Sequence, residues 1–301
     1  MKNGTIKISG FEKAFRIFNY TLMVGFCLTI ILPYLNIISL ALNDGSDASR
    51  GGIYFWPRAF TLENFTYIFH NKSLTTAYII TISKTVIGTF FSVLLTSMAA
   101  YGLKSKTLPG RNAFMFIIFF TTLFGGGMIP YFILLKNLHL TRSFLIYILP
   151  ALYNVFNIII VKTYFQTISP NIEESAEVDG CNEFRIFFQI IIPLSKPVIA
   201  VIALFNGVGQ WNDWATGTFY VQSEKLLPVQ TLLQKMLSDA QAINKLMLQS
   251  ATAAMTQQSM HISSQSLQMA MIIICTLPII CIYPFVQKYF VQGVMIGSIK
   301  E

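Results

Sequence analysis

Apolar stretches long enough to cross a lipid bilayer recur along the whole chain. A hydrocarbon core about 30 Å thick needs roughly 20 mostly apolar residues in a helix. Six stretches meet this requirement, near residues 18–42, 74–103, 113–135, 143–166, 197–220 and 266–286. Only helices and closed barrels satisfy their backbone polar groups inside a bilayer. The sequence therefore predicts an all-α membrane protein with six transmembrane helices.

The composition agrees with a multi-pass membrane protein. Hydrophobic residues make up 54% of the chain and charged residues 11%, whereas soluble domains carry about 25% charge. The first apolar stretch is longer than a signal-peptide core, so we expect it to remain as a span. The net charge of +8 indicates membrane orientation rather than a nucleic-acid partner, because no basic run with interleaved aromatics lies outside the spans. The four cysteines have no CxxC spacing, so no metal site is predicted.

Positive charges next to the spans predict which side each loop faces. The residues that flank the first three spans in this way are Lys2, Lys7, Lys13, Arg16, Lys104, Lys106 and Arg111. The positive-inside rule places them in the cytoplasm. We therefore expect a cytoplasmic segment over residues 1–17, a six-helix domain over 18–286 and a cytoplasmic tail over 287–301. The outer loops are then residues 43–73 and 221–265.

One acidic segment interrupts the apolar pattern on the predicted cytoplasmic side. Residues 169–193 read SPNIEESAEVDGCNEFRIFFQIIIP. Ser169 suits an N-cap and Pro170 the first position of a helix, while Gly180 suits a C′ position with positive φ. The pattern predicts a short helix over 170–179, after which Pro193 and Pro197 should end the apolar run and admit the fifth span.

The predicted short helix has an acidic side and an apolar side. Glu173 and Glu177 are four residues apart and share a face, and Glu174 adds a third carboxylate. Ile172 and Ala176 should form the apolar side. Such a helix is either a docking element or a solvated loop whose charges keep it out of the lipid, and the physical pattern leaves both open.

The spacing in this segment resembles the EAA loop of permease subunits of bacterial ATP-binding cassette (ABC) importers. That motif reads E-A-A, three residues, G, nine residues, then I-x-L-P. The residues at these positions are Glu174, Ser175, Ala176, Gly180, Ile190, Ile192 and Pro193. Ser175 replaces the first Ala and Ile192 replaces Leu, and both changes are small in volume.

Other motifs extend the resemblance over most of the chain. FWPRAFTLENF at 55–65, residues 73–103 and QWNDW at 210–214 are similar to signatures of the carbohydrate-importing branch. QKYFVQGVMIGSIK at 287–300 is similar to the C-terminal signature of polysaccharide permease proteins, which are related to the maltose-type second permease. The resemblance implies a type I ABC importer permease fold and a location in the bacterial cell membrane, with both termini cytoplasmic.

The resemblance also implies how such a protein works. The chain would carry a carbohydrate inward, either an oligosaccharide or a uronate-type or host-glycan fragment, and residues 170–179 would be the coupling helix. The sequence has no G-x-x-x-x-G-K-[ST] loop, so a separate ATPase would bind ATP and Mg, and this chain would be non-catalytic and without a cofactor. The implied partners are a second homologous permease in a heterodimer, two copies of a cytoplasmic ABC ATPase, an extracellular solute-binding protein and membrane lipid. The implied ATPase-coupling residues are Glu173, Glu174, Ala176, Glu177, Gly180, Ile190 and Pro193.

Polar residues within the spans are candidates for the substrate path, because polar groups are costly in a membrane and often functional. Amides and carboxylates bind sugar hydroxyls, and aromatic rings pack on sugar C–H faces. The candidates are Tyr131, Tyr153, Asn154, Asn157, Asn206, Gln210, Trp211, Asn212 and Asp213. Each could instead make an interhelical hydrogen bond or be an interfacial aromatic.

Three further features have structural interpretations. Lys84 lies near the outer third of the second span, where its ammonium could snorkel to the interface, and a structural role is favoured over an ion relay. The Gly125–Gly127 cluster and Pro130 permit a break in the third span. Residues 229–249 have apolar side chains at helical spacing and predict an amphipathic helix in the second outer loop.

Two other functional classes remain as alternatives. An ion-coupled secondary transporter often shows inverted repeats, and no convincing repeat relates the two halves of this sequence. An integral membrane enzyme needs a catalytic cluster at one membrane face, and His, Asp and Glu do not group in that way. Neither class gives the acidic segment a purpose.

Overall fold

The computed structural model describes residues 10–105, 107–249 and 264–298, and over these ranges the secondary structure is helical apart from one isolated bridge between Asn43 and Phe60. The α-helices are α1 Gly10–Ala41, α2 Gly45–Ala48, α3 Glu63–His70, α4 Lys72–Lys104, α5 Arg111–Leu123, α6 Met128–Asn137, α7 Val155–Phe165, α8 Pro170–Val178, α9 Glu183–Ile186, α10 Ile192–Leu194, α11 Lys196–Asn212, α12 Ala215–Phe219, α13 Val229–Gln249 and α14 Ser264–Ser298. A π-turn (Phe187–Ile191) joins α9 to α10, and 3₁₀ segments occupy Phe144–Tyr147, Leu149–Leu152 and Glu224–Leu226. Parts of the predicted segments 1–17, 221–265 and 287–301 lie outside the described residues.

Each of the six predicted spans corresponds to one long helix or to one bent helix pair. The continuous apolar helices are Gly10–Ala41, Lys72–Lys104 and Gln265–Pro284. The bent pairs are Arg111–Leu123 with Met128–Asn137 at 116°, Phe144–Leu152 with Val155–Phe165 at 46°, and Glu183–Leu194 with Lys196–Phe219 at 83°. The third and fourth predicted spans are therefore bent within the apolar stretch, and the fifth is preceded by a bend at Ser195.

Each break has a local cause in the sequence. In the third span the predicted break is confirmed, and Gly127 has a φ of 81°, which favours glycine. The fourth span begins as 3₁₀ helix with Pro150 near the start of its second segment, and Asn154 then caps α7. Before the fifth span the helical path continues to Leu194 and breaks at Ser195, which lies between Pro193 and Pro197, where the sequence predicts its end.

The chain divides into two compact units. The first unit comprises Met1–His70 and Met236–Ile274, and the second comprises Asn71–Lys235 and Cys275–Glu301. In the first unit, Leu40, Ala48 and Ile53 form a small core. The buried amide of Asn64 donates to the backbone oxygens of Ala41 and Asn43 at 2.9 and 3.0 Å, which ties α3 to the end of α1. The α1 side chains up to Pro33 are exposed and mostly apolar, as lipid contact requires.

The second unit is built around α4, α7 and α11. Its core contains Val161 and Phe165 of α7 with Ala100 of α4 and Ile202 of α11. The buried side of α4 consists largely of small residues, which allow neighbouring helices to approach closely. A methyl group at Gly88 would lie 2.9 Å from the Gln210 amide nitrogen, so α4 and α11 are in direct contact there.

Candidate functional site

The predicted cytoplasmic helix is present as α8, and its C-terminal cap is a Schellman motif. Gly180 has a φ of 79°, its N–H donates to the Glu177 oxygen at 2.9 Å, and the Cys181 N–H donates to the Ala176 oxygen at 2.9 Å. The helix begins at Pro170 as predicted and ends at Val178, one residue early. The Ser169 hydroxyl makes no capping bond, so that part of the prediction is wrong.

The carboxylates of α8 point in different directions. Glu173 is largely buried and forms an ion pair with Lys104 at the end of α4. Glu174 and Glu177 are exposed. Ala176 is buried in the core of the second unit, as expected, but Ile172 is 40% exposed and does not join the apolar side. The acidic face is therefore divided, because Lys104 draws one carboxylate inward and leaves two free to meet a partner.

The segment after Gly180 is also attached to the last turn of α4. Tyr101 donates its hydroxyl hydrogen to the Glu183 carboxylate at 2.8 Å, and the Lys104 ammonium lies 5.7 Å from the centre of the Tyr101 ring. Ile190 is half-buried against the core, and Pro193 is exposed near the start of α10. Both sides of the Gly180 turn are thus held by the same end of α4.

A cavity of about 340 Å³ lies beside the break in the fourth span and the C-terminal end of α11. Five of the candidate path residues line it, namely Tyr153, Asn154, Asn206, Gln210 and Asp213. Asn154 stands at the break before α7, and Asp213 at the break between α11 and α12. Irregular backbone inside a membrane is tolerated where it lines such a cavity.

The other four candidates lie elsewhere. Asn157 is buried behind the cavity, and its amide donates to Asn206 at 3.4 Å. Tyr131 packs edge-on against the Tyr220 ring at 5.1 Å, and the exposed Asn212 accepts a bond from Gln230 at 3.4 Å. These contacts fit structural roles.

Trp211 of α11 does not line the polar cavity. Its indole N–H donates to the Cys275 backbone oxygen at 2.9 Å. It lines a separate apolar cavity of about 770 Å³ between α11 and α14, which the sequence pattern gave no means of predicting.

Lys84 is fully buried and does not snorkel. Its ammonium donates to the backbone oxygen of Asp213 at 3.0 Å and to Oδ2 of the same residue at 3.4 Å, and it lies 4.7 Å from the centre of the Tyr147 ring. The second carboxylate oxygen of Asp213 accepts the Thr216 N–H at 3.0 Å. The snorkelling expectation is wrong because the chain supplies an internal partner. Sequence reasoning singled out both residues but missed the pair, since 129 positions separate them.

Within the described residues, no three His, Cys, Asp or Glu side chains group closely enough to hold a metal ion.

Broken spans around a polar cavity are typical of membrane transport proteins. Residues 92–296 match the family of binding-protein-dependent transport system inner membrane components, and the chain belongs to this family. Its location in a membrane follows. The resemblance drawn from the acidic segment is confirmed.

Relatives and solved structures agree with this assignment. The chain is 36% identical over 289 residues to the polygalacturonan/rhamnogalacturonan transport system permease protein YtcP of Bacillus subtilis (strain 168), covering 96% of this chain and 99% of that protein. It matches a chain of a bacterial ABC transporter involved in the import of the acidic polysaccharide alginate, with 31% identity, a TM-score of 0.83 and coverage of 95% and 100%. A chain of a bacterial alginate ABC transporter in complex with alginate pentasaccharide-bound periplasmic protein shares the fold, with 16% identity, a TM-score of 0.58 and coverage of 91% and 93%. The all-α permease fold predicted from the sequence is confirmed.

Proposed function

We propose that this chain is one of two permease subunits of an ATP-driven importer that carries acidic oligosaccharides across the bacterial cell membrane. The names of its relatives support this substrate class, because polygalacturonan, rhamnogalacturonan and alginate all carry uronate groups. An extracellular solute-binding protein delivers the sugar, and a second homologous permease completes the path. The chain itself is non-catalytic, and both of its termini are cytoplasmic.

The observation that carries the proposal is the way α8 is built and attached. The exposed Glu174 and Glu177 are suited to a basic cleft on an ATPase, while Glu173 and the buried Ala176 fix the helix to the second unit. Two copies of a cytoplasmic ATPase bind ATP and Mg. When they close, α8 moves as a rigid body and shifts the spans between inward-open and outward-open arrangements.

Polar groups in the cavity fit a sugar. Asn154, Asn206 and Gln210 supply amides, Asp213 a carboxylate, and Tyr153 an exposed ring that can pack on a sugar face. A cavity of about 340 Å³ is within the range of small-ligand sites, so it holds part of an oligosaccharide at a time.

A purification and transport experiment tests the proposal. The chain, isolated from its own cell membrane, should bring with it a second permease and an ABC ATPase. In liposomes, the complex should take up galacturonate oligosaccharides only when both ATP and the binding protein are present. Uptake by the chain alone, driven by a proton or sodium gradient, would establish the ion-coupled alternative, for which broken spans and a buried ion pair are also typical.

The Lys104–Glu173 pair gives a second, more local test. Lys104→Glu places two carboxylates together at a site where both side chains are largely buried, at a cost on the order of 1–3 kcal/mol. We expect less sugar transported per ATP, and restored coupling in the charge-swapped variant Lys104→Glu/Glu173→Lys. Lys136→Glu, the same substitution at an exposed lysine of α6, is the matched control for charge alone. Equal coupling in the single and swapped variants would show that the pair does not hold α8 in place.

A further inference from the structure

We propose that Lys84 determines which sugars the cavity accepts, by neutralising the carboxylate of Asp213 in the cavity wall. Among the described residues that line the cavity, Asp213 is the one that carries a full charge. Its side chain is 25% exposed, so a ligand in the cavity meets this carboxylate directly. The inference rests on the proposed function, and it assigns the charge selectivity of the same site.

The contacts of Lys84 commit its charge to Asp213. The side chain is fully buried on α4, and the described contacts of its ammonium are the backbone oxygen and Oδ2 of Asp213 and the face of the Tyr147 ring. A buried ammonium is stable only with such partners. Lys84 does not itself line the cavity, so it acts through Asp213 and is a positioning residue.

Asp213 is fixed as firmly as its partner. It ends α11, and its Oδ1 accepts the N–H of Thr216 at the start of α12. Its backbone oxygen and Oδ2 both face Lys84. The carboxylate therefore cannot rotate away from the cavity without losing bonds at the break in the span.

The amides around the carboxylate add no compensating charge. Gln210 donates to the Tyr147 backbone oxygen at 3.0 Å, and Asn206 donates to the Ile202 oxygen at 3.0 Å. Because amides are neutral, Lys84 is the described group that offsets the negative charge of Asp213. A uronate that enters the cavity meets a nearly neutral wall, whereas without Lys84 it would meet a bare carboxylate of like sign in a low-dielectric setting.

The test is the ratio of two uptake rates in the complete importer. The probes are trigalacturonate and its fully methyl-esterified form, which has the same length but no charge. The complex contains the partner permease, the ATPase and an unaltered binding protein, so a change in the ratio between variants reports this chain. The net charge of the Lys84–Asp213 pair is 0 in the parent. It becomes −1 in Lys84→Met and +1 in Asp213→Asn, and it is again 0 in the double variant.

The ratio of acidic to esterified uptake should follow the net charge of the Lys84–Asp213 pair. Lys84→Met should lower the ratio of acidic to esterified uptake at least tenfold, and Asp213→Asn should keep it at or above the parent value. The double variant should return the ratio close to that of the parent. If Lys84→Met does not fold, the other two variants still decide, because a lowered ratio in either of them contradicts the proposal.

A purely structural role predicts a different result. In that case Lys84→Met would slow the uptake of both probes equally, and the ratio of the two uptake rates would not change. That result would overturn the inference and leave the proposed importer function intact. Failure of the parent complex to take up either probe with ATP and the binding protein would instead overturn the proposed function, and the inference with it.

Discussion

Replacing Gly180 by valine is expected to uncouple ATP hydrolysis from sugar uptake. Gly180 has a φ of 79° in the cap of α8, a conformation that a β-branched residue adopts only with strain of about 1–3 kcal/mol. Space is not the difficulty, because a Cβ at this position would meet no atom within 4 Å. The backbone should relax instead, and the two cap bonds to Ala176 and Glu177 should weaken. The population of the native cap would then fall about tenfold for each 1.4 kcal/mol of strain, and we expect coupling to fall with it.

The measurement is sugar transported per ATP hydrolysed in the reconstituted importer. Gly180→Asn is the matched control, since asparagine tolerates positive φ and should retain most of the coupling. Gly102→Ala, on a regular turn of α4 with no atom within 4 Å of the new methyl group, controls for the added carbon. Normal uptake with normal ATPase activity in Gly180→Val would exclude the proposed role of the cap.

Replacing Gly217 by alanine is expected to destabilise the whole second unit. The new methyl group would lie 2.2 Å from the Thr231 hydroxyl oxygen and 2.9 Å from Cδ of Pro228. Thr231 is buried, and its hydroxyl donates to the Trp214 backbone oxygen at 3.0 Å, so it has little freedom to move. Overpacking of this kind costs about 1–3 kcal/mol, and loss of the threonine hydrogen bond adds about 1 kcal/mol.

Heat inactivation of the detergent-solubilised complex measures this effect, because membrane proteins of this size often unfold irreversibly and a half-life is then the appropriate quantity. Gly217→Ala should shorten the half-life, and Gly102→Ala should leave it close to that of the parent. Adding Thr231→Ala to Gly217→Ala removes the nearest clash and should restore part of the loss. Equal half-lives for Gly217→Ala and the parent would show that α12 moves aside without cost.

Local patterns were sufficient to predict the spans and the α8 cap. A mostly apolar stretch of about 20 residues identifies a span wherever it lies in the chain. The start of α8 at Pro170 and its end before Gly180 are both signalled by residues within one short segment. The direction of each α8 side chain was harder to predict from the sequence than the ends of the helix. Ile172 reads as part of an apolar side, but the position of α8 against the core buries Ala176 and leaves Ile172 exposed.

The breaks and the ion pair depend on tertiary structure. Asp213 reads as one polar residue in a 24-residue apolar stretch (197–220), and its role in ending α11 is evident only when Lys84 and Thr216 are placed beside it. The sequence shows Lys84 as a lone cation in a span, for which snorkelling was expected rather than an internal partner. Composition could not say which of the distant carboxylates would pair with it, because the pairing requires α4 and α11 to be in contact.

The length of α4 has a mechanical consequence. Lys84 and Lys104 lie on one unbroken helix without proline, 20 residues or about 30 Å apart, which equals the thickness of the hydrocarbon core. A stiff arm of that length converts a small rotation at one end into a larger displacement at the other. A tilt of about 5° imposed at the α8 end moves the far end by roughly 3 Å, as much as the length of a hydrogen bond. This displacement is comparable with the 3.0 and 3.4 Å distances that join Lys84 to Asp213, so we expect the ion pair to respond to movement at the α8 end of α4.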